Sequence, residues 1–212
     1  MPIQVRYFEA FWHEIKARED EEDDQRFFVV VMELLEISLD KKIGPPLPPP
    51  PVTSTAQWMR QVASGVAYIH SLNLQHRDLK PGNVMLDHAG HAKIIDFGLA
   101  CISYGSVASQ SRTRAQAPGT DAYMSPEKAG GKRYGPADDV WAIGCIMAEL
   151  LLGRPIGHVA KDDQKLKRTI TESKVAHAQM GSWVEGCLQH DSKRRPTAKR
   201  LEEGLTVDVC VT

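Results

Sequence analysis

The stretch from His76 to Asn83 reads HRDLKPGN and places three different polar groups in one short loop. Asp78 supplies a carboxylate, Lys80 a cation and Asn83 an amide, and Pro81 stiffens the backbone between them. A loop of this composition, taken alone, is typical of an ordinary solvated turn. The segments that follow it in the chain favour a chemical site instead.

A predicted β-hairpin follows the loop. Two short apolar runs, 84–87 and 92–95, flank a glycine-containing turn at 88–91. Because a hairpin returns the chain to its starting point, Asn83 before the first strand and Asp96 after the second should lie side by side. Amide and carboxylate oxygens are ligands that Mg²⁺ prefers, with phosphate oxygens and water completing its coordination. The pattern therefore predicts a magnesium site beside the loop.

The loop and the Asp96-Phe97-Gly98 segment together resemble the catalytic loop and the Asp-Phe-Gly motif of protein kinases. The resemblance implies that Asp78 orients the substrate hydroxyl and accepts its proton, and that Asn83 and Asp96 hold the metal ions. It implies that Lys80, typical of Ser/Thr-type loops, contacts the transferring phosphoryl group and the nucleotide. The resemblance also assigns Met85 to nucleotide binding. The residues that it assigns to structural support or regulation of the site are His76, Arg77, Phe97 and Gly98.

The N-terminal part predicts two strands, which resemble strands four and five of the kinase domain. Residues 3–13 are rich in aromatic and β-branched side chains, and residues 27–34 are almost all apolar. A continuous apolar run predicts a strand that is buried on both faces. The acidic run 19–24 between the strands is typical of a solvated hairpin tip, with a docking site as the alternative.

Two connecting segments follow the second strand. On the kinase resemblance, Met32 is the gatekeeper, and the backbone of Glu33 and Leu35 meets the adenine of ATP. Residues 44–51 are mostly proline, which predicts an extended segment because proline fixes φ and lacks the donor that a helix needs. A stiff surface linker is one interpretation, and an SH3 or WW ligand at Pro45–Pro51 is the other.

Helices dominate the rest of the chain. Apolar residues at the 3.6-residue period predict a helix that opens at Thr55 and leads to the loop. Asp138 and Asp139 are predicted to cap a second helix, which ends near Leu152 and is buried because it is apolar on nearly every face. One or two loose helices are predicted for 157–180. Further on, Trp183, Val184, Cys187 and Leu188 form one helix face, and Thr197 caps a last helix.

The segment from Gly98 to Pro126 has no periodicity and is rich in serine and threonine. It resembles a kinase activation loop, since it ends in Ser125-Pro126-Glu127, close to the Ala-Pro-Glu of the family. The resemblance implies that Thr120 bonds to both the carboxylate and the lysine of the catalytic loop. Arg77 is a natural receptor for a phosphate on this segment, and Thr113 is the predicted phosphosite.

Three residues match positions that support the kinase site. Asp139 matches the acid that holds the backbone of the catalytic loop. Arg195 lies in a segment, 191–197, that resembles the closing motif of the domain, in which this arginine pairs with Glu127. If that pair is buried, removing one partner should be strongly destabilising.

The composition narrows the class of protein. The 212 residues suit one soluble domain or a larger domain that lacks a part, and the net charge of -1 predicts neither a nucleic-acid nor a membrane partner. No apolar run approaches the roughly 18 residues that span a bilayer, and no signal-peptide pattern is present. The four cysteines are far apart in sequence, which predicts reduced thiols and an intracellular, cytoplasmic location.

The resemblance begins part-way into the family's domain. The first glycine is Gly44, so the glycine-rich loop, the strand-three lysine and the helix-borne glutamate expected before the first strand have no counterpart in these residues. Lys16, Lys41 and Lys42 do not stand where they could replace that lysine. We therefore expect weak binding of Mg-ATP and poor turnover by the chain alone, with apolar strand surface left exposed.

These patterns predict an α+β, protein-kinase-like fold, mainly the α-helical C-lobe with a remnant of the N-lobe sheet. The predicted parts are a partial N-lobe at 1–36, a Pro-rich linker at 37–54 and the C-lobe at 55–207. The predicted function is phosphoryl transfer from ATP, with Mg²⁺, to Ser or Thr of protein substrates, after activation by another kinase. A non-catalytic, pseudokinase-like scaffold is the alternative, and a metal-dependent hydrolase lacks water-activating residues. The sequences of the first strand and of the segment around Met32–Leu35 resemble those of NIMA-related or similar Ser/Thr kinases.

Overall fold

A computed structural model describes residues 5–15, 25–102 and 120–205. The fold is α+β, as predicted, with an N-terminal hairpin ahead of a mainly helical body. The strands are β1 (Tyr7–Ile15), β2 (Gln25–Met32), β3 (Ile37–Ser38), β4 (Leu74–Gln75), β5 (Val84–Leu86), β6 (Ala92–Ile94) and β7 (Cys101–Ile102). The helices are α1 (Val52–Ser71), α2 (Pro126–Ala129), α3 (Pro136–Leu152), α4 (Asp163–Ala176), α5 (Ala178–Cys187) and α6 (Ala198–Gly204).

Three small antiparallel sheets frame the site. The first pairs β1 with β2, and Tyr7 lies opposite Met32. The second has the order β3-β5-β6, and the predicted hairpin is its β5–β6 pair, in which Val84 lies opposite Ile94. The third pairs β4 with β7, so the residues just before His76 lie beside Cys101 and Ile102. The hairpin prediction is therefore confirmed.

The β1–β2 hairpin exposes large apolar side chains. Trp12 is 68%, Phe8 64% and Phe28 58% exposed. The prediction that the second strand is buried on both faces is wrong, because within the described residues this strand pairs only with β1 and no further strand joins the sheet. A long apolar run indicates a strand that is stabilised by burial, but it does not show which element packs on that strand. The expected exposure of apolar strand surface is present.

The exposed aromatic pair on this hairpin should promote self-association. Trp12 and Phe28 contact each other across the strands, with ring centroids 5.3 Å apart. We expect Trp12→Lys/Phe28→Lys to lower the apparent mass at high concentration in sedimentation velocity, while the melting temperature changes little because both rings are exposed. Tyr68→Lys, at an exposed aromatic on α1, is the control. An unchanged mass distribution in the double variant would contradict this prediction.

The core lies between α1 and α3. Trp141, Ile143, Ile146, Met147 and Leu150 of α3 are fully buried, as the apolar pattern predicted. The start of α3 differs from the prediction: the helix begins at Pro136, so Asp138 and Asp139 lie in its first turn and do not cap it. Proline suits a first helical position because its N–H would have no partner there.

Helix α1 begins three residues before the predicted Thr55. Pro51 occupies the position before the helix, and Thr55 N donates to its carbonyl oxygen at 3.0 Å, which closes the first turn. Proline is favoured at a helix start because the N–H that it lacks would have no partner there. The start was predicted too late because the apolar residues with a 3.6-residue period begin only further along the chain. At its other end α1 delivers the chain to β4 and the catalytic loop.

The proline segment is not extended throughout. Leu47 N donates to Gly44 O at 3.2 Å, so a turn closes over two prolines. Gly44 adopts φ +100°, which glycine tolerates, and its N–H donates to Gly153 O at 3.0 Å. Pro49 packs so closely on Gly153 that a Cβ there would lie 2.7 Å from Pro49 Cγ. The segment is therefore fastened to the end of α3, although residues 45–49 remain exposed.

The C-terminal helices pack against α3. The loose helices predicted for 157–180 are α4 and the start of α5, and α5 approaches α3 so closely that a Cβ on Gly144 would lie 2.6 Å from Cys187 Cβ. Thr197 caps α6 as predicted, since its side chain accepts Arg200 N. The described cysteines, Cys101, Cys145 and Cys187, are free thiols. No helix in the described ranges is long and apolar enough to cross a bilayer.

Candidate active site

Asp78 lies at the centre of a dense set of hydrogen bonds. It is 9% exposed, and its Oδ1 accepts both the backbone N and the hydroxyl of Thr120, at 2.8 and 2.9 Å. Lys80 Nζ donates to Asp78 Oδ2 at 2.8 Å and to Thr120 Oγ1 at 2.9 Å. The structure thus brings together the carboxylate, the lysine and the threonine in the contacts that the kinase resemblance implies.

These contacts determine the charge of Asp78. Burial alone would raise its pKa, but the hydrogen bonds and charge of Lys80 and the hydrogen bonds from Thr120 outweigh burial and lower it. A carboxylate with a lowered pKa is ionised at neutral pH and is a weak base. Asp78 is therefore suited to accept a hydrogen bond from a hydroxyl and to hold it in one direction.

Asn83 is positioned by Asp78. Its side chain is buried, and Nδ2 donates to Asp78 O at 2.9 Å and to Asp78 Oδ2 at 3.2 Å. Because the amide nitrogen faces Asp78, the amide oxygen is left for another partner. Asn83 comes at the end of a 3₁₀ turn, Pro81–Asn83, directly before β5.

The β5–β6 hairpin brings Asp96 back beside Asn83. Ile95 N donates to Asn83 O at 3.0 Å, so the two residues lie at the same end of the hairpin. Asp96 is exposed, adopts φ +60° and accepts Gly98 N through Oδ1 at 3.1 Å. One amide oxygen and one carboxylate suit Mg²⁺, which takes its other ligands from phosphate and water. Over the described ranges, no group of three carboxylate, imidazole or thiol side chains forms a metal site.

Asp139 anchors the backbone of the catalytic loop. Its Oδ2 accepts His76 N at 3.0 Å and its Oδ1 accepts Arg77 N at 2.9 Å. His70 Nε2 lies 2.8 Å from Oδ2, a contact that the sequence did not predict although His70 lies in the last turn of α1. Burial would raise the pKa of Asp139, but His70 and the two backbone N–H groups lower it. The acid therefore stays ionised inside the core.

His76 links the loop to the Asp-Phe-Gly segment. Its Nδ1 accepts Asp78 N at 3.3 Å, so the ring proton lies on Nε2, which donates to Ile95 O at 3.0 Å. The ring also packs against Phe97, with centroids 5.0 Å apart. Gly98 follows directly and turns back onto Asp96. His76 and Phe97 thus act as structural contacts between the two motifs.

The side chain of Arg77 contacts Tyr134. Its guanidinium donates to Tyr134 OH at 2.6 Å and stacks on that ring, while Nε is buried without a hydrogen-bond partner among the described residues. Lys128, which the sequence did not predict, donates to Arg77 O at 2.7 Å and to Asp138 at 3.0 Å. Asp138 is therefore an ion-pair partner, not the plain helix cap that was predicted.

Glu127 and Arg195 form the ion pair that the resemblance implies. Both Glu127 oxygens accept from the guanidinium at 2.7 Å, and the Arg195 side chain is 0% exposed. Arg195 also donates to Gln189 O and Ala137 O and stacks on Trp141. The pair ties α2 to the segment before α6.

The residues predicted to meet adenine lie between β2 and β3. Met32 is 42% exposed, Leu35 is buried and Met85 on β5 is half-buried. Glu33 N donates to Arg6 O at 2.9 Å, and both oxygens of its carboxylate accept Lys93 Nζ at 2.7 Å. This ion pair, which the sequence did not predict, joins the segment after β2 to β6.

Two cavities in the described part of the chain differ in the residues that line them. A cavity of about 1040 Å³ lies between the segment after β2, helix α1 and the β5–β6 turn, and is lined by residues that include Glu33, Arg60, His88 and Lys93. A void of about 10 Å³ lies under the catalytic loop and includes Asp78. The larger cavity is lined by none of the residues 76–83. The hydrogen bonds around Asp78 therefore indicate the candidate site better than cavity volume does.

The chain resembles known protein kinases over most of its length. The model of the protein kinase domain matches residues 10–204. The rat interferon-induced, double-stranded RNA-activated protein kinase is 36% identical over 153 residues, which cover 68% of this chain and 28% of the rat protein. The mouse protein of that name is 48% identical over 91 residues, 43% of this chain and 17% of its own length.

A plant relative gives a similar result. Mitogen-activated protein kinase kinase 9 of Arabidopsis thaliana is 35% identical over 161 residues, which cover 69% of this chain and 50% of the relative. The matched region therefore spans half or less of each of these three proteins. The family match and the loop geometry agree, and the chain belongs to the protein kinase family, of the eukaryotic type.

Proposed function

We propose that this chain carries the catalytic centre of a Ser/Thr protein kinase, which transfers the γ-phosphoryl group of ATP to a Ser or Thr hydroxyl of a protein substrate. The observation that supports this most is the set of contacts among Asp78, Lys80 and Thr120. A lysine beside the catalytic aspartate favours the Ser/Thr class. Two further relatives from Arabidopsis thaliana, each 34% identical over 138 residues, are named serine/threonine-protein kinases, which agrees with this class.

In the proposed mechanism, Asp78 aligns the substrate hydroxyl and takes its proton as the hydroxyl oxygen bonds to the γ-phosphorus of ATP and the bond from that phosphorus to ADP breaks. The lowered pKa keeps the carboxylate ionised, so that alignment is its larger contribution. Lys80 lies within 2.8 Å of the same carboxylate and would offset the negative charge of the phosphoryl group. Thr120 keeps both side chains in place.

Asn83 and Asp96 would hold Mg²⁺, and the backbone of Glu33 and Leu35 together with Met32 and Met85 would hold the adenine side of ATP. When bound, the metal neutralises phosphate charge. The chain's own contribution is to keep the Asn83 amide oxygen turned from Asp78 and to hold Asp96 beside it through the hairpin.

We expect the chain alone to bind Mg-ATP weakly, and Asp96→Asn to weaken that binding by roughly tenfold or more, since one charged ligand is lost. Titration of a fluorescent ATP analogue with and without Mg²⁺ measures both. Asp87→Asn, at an acid of the β5–β6 turn, is the control. Tight binding by the wild type, or equal Mg²⁺ dependence in wild type and Asp96→Asn, would contradict this prediction.

A non-catalytic scaffold is the second candidate, and one observation favours it. The 212 residues contain no glycine before Gly44, so no glycine-rich phosphate clamp lies within them. The glycine-rich loop that holds the phosphates and the aspartate that holds the substrate hydroxyl both contribute to positioning. The residues around Asp78 alone therefore need not give a useful rate. Robust transfer to a generic substrate by this chain would exclude the scaffold, whereas partner binding without transfer would favour it.

We propose Thr113 as a regulatory phosphosite, which lies outside the described residues, and Arg77 as the receptor of its phosphate. The buried Nε of Arg77 without a partner supports a role in anion binding. Another kinase could supply this phosphate. Phosphopeptide mapping of active protein should show modification between Ser103 and Thr113, and its absence there would contradict the proposal.

Further assignments complete the proposal. We take 1–36 as part of an N-lobe with its acidic insert 19–24, 37–54 as a linker and 55–207 as the C-lobe.

The exposed prolines within Pro45–Pro51 could bind an SH3 or WW domain, which a peptide-array or pull-down experiment with Pro48→Ala would test. A NIMA-related subfamily rests only on the sequence of the first strand, 3–13, and of the segment around Met32–Leu35, and peptide-library specificity would test it. ATP dependence favours an intracellular, cytoplasmic location, testable by fractionation.

A further inference from the structure

Lys128 is a buried cation next to the catalytic loop, and neither the sequence patterns nor the mechanism above gives it a role. It is 2% exposed, and its Nζ donates to Arg77 O at 2.7 Å and to Asp138 Oδ2 at 3.0 Å. A lysine is rarely buried unless its charge is compensated. Here the compensation comes from the loop backbone and from α3.

Asp138 extends this contact to a third segment. It is 5% exposed, and its other oxygen accepts Ser125 N at 3.2 Å. Ser125 Oγ in turn accepts Lys128 N at the start of α2. Burial raises the pKa of Asp138, and the charge of Lys128 opposes that rise. The catalytic loop, α2 and α3 therefore share one buried polar network.

The loop needs a restraint at this point. Arg77 adopts φ +72°, a left-handed conformation that is unfavourable for a residue with a side chain. Its N–H is held by Asp139 and its carbonyl by Lys128. Arg77 directly precedes Asp78, so a rotation of the peptide group between them would redirect the Asp78 carboxylate.

We propose that Lys128 and Asp138 are a positioning pair for the catalytic loop. Lys128 fixes the Arg77 carbonyl, and Asp138 fixes Lys128. Two adjacent acids of α3 thus serve the loop, Asp139 directly and Asp138 through the lysine. This inference rests on the proposed function, because it concerns the orientation of Asp78 for phosphoryl transfer.

The double variant Lys128→Met/Asp138→Asn tests the pair. Both residues change together because Lys128→Met alone would leave a buried, unpaired carboxylate, and Asn keeps an acceptor for Ser125 N. We expect amide hydrogen exchange at Arg77 and Asp78 to accelerate by about tenfold or more, since a hydrogen bond from a charged donor is lost. The exchange of the α3 core and the melting temperature should change little by comparison.

The control is Lys174→Met/Glu185→Leu, which removes an ion pair of 2.6 Å between α4 and α5, away from the loop. It should leave exchange at Arg77 and Asp78 unchanged. Unchanged loop exchange in the folded double variant would overturn the positioning pair. Lys128→Gln, which keeps a donor near Asp138 but is shorter, gives the same test if the double variant does not fold.

Kinetics separate this inference from the proposed function. Where the wild type transfers phosphate, the double variant should lower kcat and leave KM for ATP and for peptide unchanged, and an unchanged kcat would overturn the positioning pair. A wild type that transfers none at saturating Mg-ATP refutes the proposed function. Hydrogen exchange at the loop then still decides whether Lys128 and Asp138 hold it.

Discussion

Replacing Arg195 by alanine is expected to lower the free energy of unfolding by about 3–5 kcal/mol. The guanidinium is fully buried and makes two hydrogen bonds of 2.7 Å to Glu127. It also donates to three backbone carbonyls and stacks on Trp141. Alanine removes all of these contacts and leaves the Glu127 carboxylate largely buried without its counterion.

Urea denaturation followed by tryptophan fluorescence or circular dichroism measures this loss. Arg194→Ala, at the exposed neighbouring arginine, is the matched control and should cost no more than about 0.5 kcal/mol. Arg195→Met/Glu127→Leu should recover part of the loss, because it removes both charges together. Equal stability of Arg195→Ala and Arg194→Ala would show that the ion pair does not support the fold.

Replacing Asp78 by asparagine is expected to lower the rate of phosphoryl transfer by about 10²- to 10⁴-fold. Asparagine keeps the size of the side chain and its bonds to Thr120, but it cannot take a proton and no longer pairs with Lys80. The affinity for Mg-ATP should stay close to that of the wild type, because Asn83 and Asp96 are retained. Nucleotide titration and initial rates, measured on the same samples, separate the two effects.

Asp121→Asn is a suitable control for this prediction. Asp121 directly follows Thr120, its side chain is exposed, and its ion pair is with Lys161 at 3.6 Å. The control should retain the wild-type rate. A variant Asp78→Asn that loses rate only in proportion to a loss of nucleotide affinity would assign Asp78 to binding and not to the chemical step.

The local parts of the site could be predicted from the sequence. The approach of Asn83 to Asp96 follows from hairpin closure over a dozen residues, and the turn at 88–91 signals that closure. The contacts of Asp139, Thr120 and Glu127 came from the kinase resemblance. They span 40 to 68 positions in sequence, too far for any local pattern.

The tertiary parts could not be predicted. Lys128 looks like an ordinary surface lysine until α2 folds against α3 and buries it, and the pair of Glu33 with Lys93 likewise joins residues from separate elements. The burial of β2 was predicted wrongly for a related reason. An apolar run reports the preference of the strand itself, whereas burial depends on which neighbours cover it.

The most direct test of the kinase assignment is a single-turnover transfer from ATP to a protein substrate at saturating Mg-ATP, with the modified residue identified by mass spectrometry. We expect slow phosphorylation of Ser or Thr by the wild-type chain and its loss in Asp78→Asn. Equal phosphorylation by wild type and Asp78→Asn, or no phosphorylation by the nucleotide-saturated wild type, would contradict it.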